Sequence, residues 1–98
     1  MARKPRDPAW IPVAYDRADV TALKAVAAGV ANDGQQKRAM AWIINTAAQT
    51  YDLSFRSDAD GGERETAFAE GRRFVGLQVV KLVNMSGAVL DKIEKGRE

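Results

Sequence analysis

The sequence predicts a small all-α protein in which three helices follow an extended, proline-rich N-terminal arm, the third helix being long. All three prolines, Pro5, Pro8 and Pro12, lie within the first 15 residues. After them, apolar residues recur at three- and four-residue spacing, which is the period of one helical face. Clusters of Asp, Asn, Ser and Gly interrupt that pattern twice. We therefore divide the chain into an arm, residues 1–15, and a helical domain, residues 16–98.

The arm combines proline with apolar and basic side chains. Proline fixes its own φ and disfavours helix in the residue before it, so we expect an extended segment. Trp10 and Ile11 need an apolar surface, which is either the chain's own helices or a neighbouring subunit. Arg3, Lys4 and Arg6 account for the net charge of +2, because the chain beyond residue 8 is neutral. These bases are either a solvated tail or a contact to DNA or an acidic partner.

Capping signals divide the first half of the domain into two helices. Asp16 and the aspartate three residues later are typical of a helix start, and the apolar period predicts a first helix over residues 17–31. An Asn-Asp-Gly sequence ends this helix. Asp33 with Gln36 then has the spacing of a capping box for a second helix, whose apolar stripe continues to Tyr51.

A loop is predicted over residues 52–62, because this segment is rich in Asp, Ser and Gly. We expect Leu53 and Phe55 to anchor it to the core. Its acids lack the glycine and terminal-glutamate positions of an EF-hand. Its glycine pair is not a phosphate-binding loop either, since no strand precedes it and no Gly-Lys-Ser/Thr follows.

The third helix is predicted to cover about residues 62–95, because Asp60 and Glu63 repeat the capping spacing and the pattern persists beyond them. Residues 74–83 are apolar nearly all the way round the helix, and two shorter helices cannot cover both of its faces. The remaining apolar surface predicts homo-oligomerisation or a fixed contact with another protein. The alternative is a break near Ser86-Gly87, after which the chain folds back and buries both faces in one small bundle.

Most candidate interface residues lie on this third helix. Val75, Val79 and Leu82 share one face of it. Arg72 and Arg73 either form ion pairs on a solvated face or reach carboxylates on a partner. The full set of candidate protein contacts is Trp10, Ile11, Arg72, Arg73, Phe74, Leu77, Val80 and Leu82.

Three glycines, Gly71, Gly76 and Gly87, lie inside the predicted third helix. Each costs up to about 1 kcal/mol relative to alanine in a helix interior. The usual compensation is close approach of another backbone. The glycines therefore predict tight packing and not chemistry.

The composition argues against catalysis. The chain has no cysteine and no histidine, which excludes disulfides, thiol nucleophiles and imidazole acid–base chemistry and removes the usual zinc ligands. Paired carboxylates would need an apolar cleft, but each acid here lies near a cap, a loop or a basic neighbour. We expect no enzymatic activity, no cofactor and no metal.

Two further classes of protein are disfavoured. A helix-turn-helix DNA reader would need buried apolar residues where this sequence has Gln35 and Arg38. A membrane span is not expected, because Lys81 and Asn84 interrupt the most apolar stretch. The basic first residues lack the apolar segment of a secretion signal, so we expect synthesis in the cytoplasm.

One run of the third helix carries a family resemblance. Residues 66–77, T-A-F-A-E-G-R-R-F-V-G-L, contain the pattern A-F-x-E-G-R-R-x-V-G. This pattern resembles a family of small proteins encoded among the virion genes of short-tailed phages (podophages), including a Bordetella phage member. The D-G-Q-Q-K-R of 33–38, the W-I-I of 42–44 and the Y-D-L-S-F-R of 51–56 fit the same family. The resemblance covers residues 33–84.

The resemblance implies a structural protein of a bacteriophage virion and not an activity. Such proteins look like portal-vertex or head-interior components near the head–tail connection, some of them ejected with the DNA. It implies a homo-oligomer or cluster on the portal or its adaptor, made in the bacterial cytoplasm, with the third helix as contact element and the basic arm near packaged DNA. The alternatives are a small DNA-binding regulator and a scaffolding or packaging accessory protein.

Overall fold

A computed structural model describes residues 7–97 and confirms the all-α class, with no strand in that range. The predicted basic contacts Arg3, Lys4 and Arg6 lie outside the described residues. Four α-helices, a π-helical segment that continues the second of them, and a 3-10 turn make up the regular structure. Their bounds are α1 Arg17–Ala27, α2 Asp33–Ala41, the π segment Trp42–Ala47, the 3-10 turn Asp58–Asp60, α3 Gly62–Val83 and α4 Gly87–Gly96.

The first helix begins as predicted and packs against the second. Asp16 accepts from the Asp19 N–H at 2.9 Å, and the Asp19 carboxylate accepts from the Asp16 N–H at 3.0 Å, which completes a capping box. Arg38 of α2 donates to both carboxylates at 2.9 Å. The Asp19 N–H, and then Arg38, hold the pKa of Asp16 below its ordinary value. Ala22 and Ala39 are buried, so the two helices are in contact through small side chains.

The caps predicted for the second and third helices are wrong. The cap of α2 lies one residue earlier than predicted, and α3 has no side-chain cap. For α2 the reciprocal pair is Asn32 with Gln35, one residue before the predicted pair, because the asparagine side chain reaches the Gln35 N–H at 2.8 Å. No side chain caps α3. Gly61 precedes it with φ 102°, a left-handed conformation that glycine adopts without strain, so Asp60 and Glu63 do not form a capping pair.

The predicted long third helix is in fact two helices. α3 ends at Val83, and the chain bends by 101° before α4 begins. The Ser86 hydroxyl accepts from the Val89 N–H at 3.2 Å and so caps the start of α4. Serine favours this capping position over a helix interior, which accounts for the break.

The break lies where the alternative placed it, but α4 does not fold back. Val89, Leu90 and Ile93 all remain exposed on α4. Within residues 7–97, no single helix has the length and apolarity needed to cross a bilayer. α3 and α4 reach that threshold only when taken together across their bend.

The core of the fold is made of small side chains. The largest side chain that is fully buried belongs to Thr50, with an exposed fraction of 0%. The chain measures 57 × 38 × 18 Å, so its thinnest dimension holds no more than two layers of helices, whose axes pack roughly 8–10 Å apart. Many large apolar side chains of this thin structure lie at the surface. The buried apolar residues are Ala9, Ala22, Ala39, Ala48 and Ala69.

The loop before α3 is held by polar contacts. Leu53 and Phe55, expected to anchor it, have 74% and 61% of their surface exposed, so that expectation is wrong. The Arg56 N–H donates to the Thr66 hydroxyl of α3 at 2.7 Å. A hydrogen bond to the first turns of α3 thus replaces the expected apolar contact.

Close packing was predicted at three helix glycines, and of these only Gly76 has another part of the chain packed against it. A Cβ at this position would lie 1.7 Å from Thr50 Oγ1 and 2.8 Å from the Ala48 Cβ. Gly71 and Gly87 have no such neighbour within 4 Å. Of these three glycines, only Gly76 is therefore required by a contact within the chain.

We predict that Gly76→Ala lowers the free energy of unfolding by up to about 2 kcal/mol. Overpacking against Thr50 costs about 1–3 kcal/mol, and the better helix propensity of alanine offsets about 1 kcal/mol of that cost. Gly71→Ala is the matched control and should raise the free energy of unfolding by roughly 0.5–1 kcal/mol, since nothing opposes its methyl group. Urea denaturation at equal chain concentration measures both. Equal effects of the two changes would contradict the packing assigned to Gly76.

Candidate protein interface

The described part of the arm folds over the chain's own α3, which is one of the two arrangements left open by the sequence. Ala9 is buried there. Its N–H donates to the Glu65 carboxylate, and its carbonyl accepts from Arg72 at 2.6 Å. Arg56 donates to the Asp7 carbonyl at 2.6 Å and pairs with Glu65 at 3.4 Å. Two arginines and one glutamate thus fix the arm through its backbone.

This arrangement leaves Trp10 fixed and half-exposed. Its ring meets Phe68 of α3 edge-to-face, with ring centroids 6.3 Å apart and an interplanar angle of 82°. The Arg72 guanidinium lies 5.5 Å from the Phe68 ring centroid. Trp10 keeps 53% of its surface exposed, and Ile11 is exposed beside it. Both predicted contacts on the arm are therefore available to a partner.

Arg72 and Arg73 are bonded within the chain. Arg72 also donates to the Gln49 side-chain oxygen at 2.9 Å, while burial and the neighbouring Arg56 lower its pKa. Arg73 donates to the Thr50 carbonyl at 2.9 Å and lies 3.7 Å from the carboxylate of Glu70. Both arginines thus support the arm and the segment around Thr50, and their contact with a partner remains a prediction.

One side of α3 carries a row of apolar residues that are largely exposed. Phe68, Val75 and Leu82 repeat every seven residues, and Val79 lies between the last two, so all four share one side of the helix. Trp10 extends the row through its contact with Phe68. Val75 and Leu82 are 58% and 64% exposed. We call these five residues the outer stripe.

The candidate residues predicted on α3 do not all share this side. Leu82 belongs to the outer stripe. Phe74 and Leu77 are exposed on another side of the helix, and Val80 is half-buried toward the packed side. The candidate contacts were chosen because they are apolar and close together in the sequence. Because α3 turns by about 100° per residue, these residues face different sides of the helix.

Two residues of the stripe, Phe68 and Val75, are exposed but were not among the predicted contacts, and neither was the half-buried Val79. The seven-residue spacing that ends at Leu82 identifies Phe68 and Val75 as residues on the same side of the helix. It is visible in the sequence, because a side chain seven positions on lies nearly above the first after two helical turns.

α4 presents a second apolar surface. Val89, Leu90 and Ile93 lie on one side of it and are exposed, whereas Asp91 and Lys95 occupy the opposite side. We call these three apolar residues the α4 face. Covering a half-exposed Val, Leu or Ile is worth about 1 kcal/mol, so the outer stripe and the α4 face together offer roughly 8 kcal/mol per chain. This is comparable to the association cost of about 4–15 kcal/mol.

A cleft of about 550 Å³ lies between the arm and the π segment. Its polar wall includes Asn45, Gln49, Asp52, Arg56 and Arg72. Both arginines donate through a terminal nitrogen to protein oxygens. Two aspartates line the same cleft, so the charges of the lining balance and leave no excess positive charge for an anion. Among the described residues, no group of three or more acids could hold a metal ion.

We predict that Arg72→Met lowers the free energy of unfolding by about 2 kcal/mol, because hydrogen bonds from a charged group to Ala9 and Gln49 are lost. Arg64→Met, an exposed position on the same helix, removes the same charge without these bonds and should change stability by less than about 0.5 kcal/mol. Urea denaturation measures both, and hydrogen exchange at the Ala9 amide reports release of the arm. Equal values for the two variants would contradict the anchoring role of Arg72.

Comparison of the chain with protein-family models, with curated proteins and with solved structures finds no match. A function is therefore inferred from the surfaces of the chain and from the resemblance over residues 33–84.

Proposed function

We propose that the protein is a structural component of a tailed-phage virion, held at the portal vertex or in the head interior by the outer stripe and the α4 face. The observation that carries this proposal is the exposure of large apolar side chains around a core whose buried apolar residues are all alanine. Trp10, Val75 and Leu82 are each more than half exposed. A contiguous apolar surface of this kind marks a site of protein association.

The residues of the A-F-x-E-G-R-R-x-V-G pattern support the proposal by what they contact. The Ser54 hydroxyl donates to Glu70, while Arg72 and Arg73 donate to the arm and to the Thr50 carbonyl. Gly76 admits the Thr50 side chain. The glutamate, the two arginines and the second glycine of the pattern therefore fasten irregular segments to α3, whereas its phenylalanine and its valine lie in the outer stripe. A shared fold, and not a shared reaction, is what such a pattern indicates.

The two rival functions predict different observations. A DNA-binding regulator requires duplex binding that weakens steeply with salt and disappears when Arg3, Lys4 and Arg6 become alanine. A scaffolding or packaging accessory is present in proheads and absent from mature particles. The virion component that we propose is present in both the assembled head and the purified infectious particle.

Mass spectrometry of purified virions and proheads tests the proposal. We expect the chain in mature particles, at a copy number set by the symmetry of its binding site. Detection in proheads alone would favour the accessory role, and absence from both would contradict the proposal. Density for the chain in a particle map would give its position directly.

A matched pair of variants connects the surface to incorporation. Val75→Lys places a charge in the outer stripe, whereas Ala67→Lys adds the same charge at an exposed position of α3 outside the stripe. We expect Val75→Lys to reduce the copy number per particle at least tenfold, because a buried unpaired charge disrupts an apolar interface, and Ala67→Lys to leave it within about twofold. Equal incorporation of the two variants would contradict a role for the stripe.

A further inference from the structure

We propose that the cleft between the arm and the π segment binds an extended, uncharged stretch of peptide from a partner protein, through hydrogen bonds to the main chain of that peptide. This site goes beyond the proposed function, because it is separate from the outer stripe and from the α4 face. Its lining combines apolar residues of the arm with side chains that carry amide and hydroxyl groups.

Hydrogen bonds join the two walls of the cleft at two points of the arm. At Ala9, Arg72 donates to the main-chain carbonyl at 2.6 Å and also to the Gln49 side-chain oxygen at 2.9 Å. At Ala14, the carbonyl accepts from the Trp42 indole N–H of the π segment at 3.1 Å. The cleft is therefore formed before a ligand enters it, and a ligand loses little affinity to its rearrangement.

Both walls carry hydrogen-bonding groups that have no partner in the described part of the chain. On the π side these are the Asn45 amide, the Thr46 hydroxyl and the side-chain nitrogen of Gln49. On the arm side they are the main-chain N–H groups of Val13 and Ala14. A ligand that satisfies these groups must itself carry both donors and acceptors at short intervals.

The charges of the lining favour an uncharged ligand. Asp7 and Asp52 balance Arg56 and Arg72, and both arginines already donate to protein oxygens. A peptide main chain has no net charge and supplies one N–H donor and one C=O acceptor per residue, proline excepted. It therefore matches the cleft better than a phosphate or a carboxylate does.

The dimensions of the cleft suit a short extended segment. Residues 11–14 of the arm line it and form neither helix nor strand, and four residues span at most about 13–14 Å. The volume of about 550 Å³ lies within the range of roughly 300–1,000 Å³ of ligand sites. Ile11 and Val13 offer apolar surface to the side chains of the ligand. About four residues of an extended peptide fit beside the arm, and main-chain pairing with such a segment is a known mode of peptide recognition.

The backbone of the opposite wall departs from α-helical geometry where the unpartnered side chains lie. Trp42–Ala47 is π-helical, and Gln49 has φ 47°, a left-handed conformation that a residue with a side chain adopts at a cost. Short π segments and strained backbone of this kind occur often at functional sites. Their position beside the cleft supports a ligand there.

Titration of the full chain with the neutral peptide N-acetyl-Thr-Val-Thr-Val-amide, followed by NMR, tests the site. We expect chemical-shift changes at the main-chain amides of Val13 and Ala14 and at the Asn45 side-chain amide. The same peptide with both valine nitrogens methylated should bind at least about tenfold more weakly, because two main-chain donors are lost. Since the contacts are with the main chain, they do not require a particular peptide sequence. No shift at these groups in millimolar peptide, or equal binding of the methylated peptide, would overturn the proposal.

A matched pair of variants identifies the wall that binds. Asn45→Ala removes an amide from the cleft and should weaken binding at least about threefold. Gln78→Ala removes an exposed amide from α3, away from the cleft, and should leave binding within about twofold. Circular dichroism checks that both variants keep their helices. Equal effects of the two changes would overturn the site, whereas peptide binding by a chain that is absent from virions would uphold it and contradict the proposed function.

Discussion

Close contact between small side chains is the constraint on which the rest of the structure depends. Thr50 lies directly against Gly76, at a distance that leaves no room for a methyl group. Its own hydroxyl donates to the Ile44 carbonyl at 2.7 Å, and its carbonyl accepts from Arg73. This contact brings the end of the π segment against α3. Alanines at the other contacts keep the molecule thin, and large apolar side chains are consequently left outside.

The arm is held by hydrogen bonds because the thin fold offers little apolar interior to hold it. A thin fold has no apolar cavity for Trp10, so the arm is held through the backbone of Ala9 between Glu65 and Arg72. The indole is then left at the surface, against Phe68, where it lengthens the row of apolar residues on α3. The polar groups that hold the arm thus stabilise the single chain. The same placement of the arm leaves apolar side chains of the outer stripe exposed and available for association.

The sequence predicted those parts of the fold that depend on local chemistry. The all-α class and the helix start at Asp16 follow from residues within four positions of one another. The break before α4 was left as an alternative, because the local signals for it, Ser86 and Gly87, are weak and a helix tolerates each of them at a cost of about 1 kcal/mol or less.

The contacts between distant residues could not be predicted in the same way. Ala9 meets Glu65 and Arg72 across 56 and 63 positions of the chain, and no periodicity reports such a pairing. The candidate contacts Phe74, Leu77 and Leu82 of α3 are exposed, and the helix places the first two on a different side from Leu82. Their contact with a partner stays a prediction, because a partner's position depends on residues outside this chain.

The central claim is that the α4 face and the outer stripe are covered only by assembly. Hydrogen exchange of the α4 amides, measured over a dilution series of the purified chain, tests it most directly. In the dilute monomer an unpacked ten-residue helix should exchange almost as fast as an unstructured peptide, and protection should appear as the concentration rises. Strong protection of α4 at concentrations where the chain sediments as a monomer would contradict the claim, because the apolar surface would then be covered within a single copy.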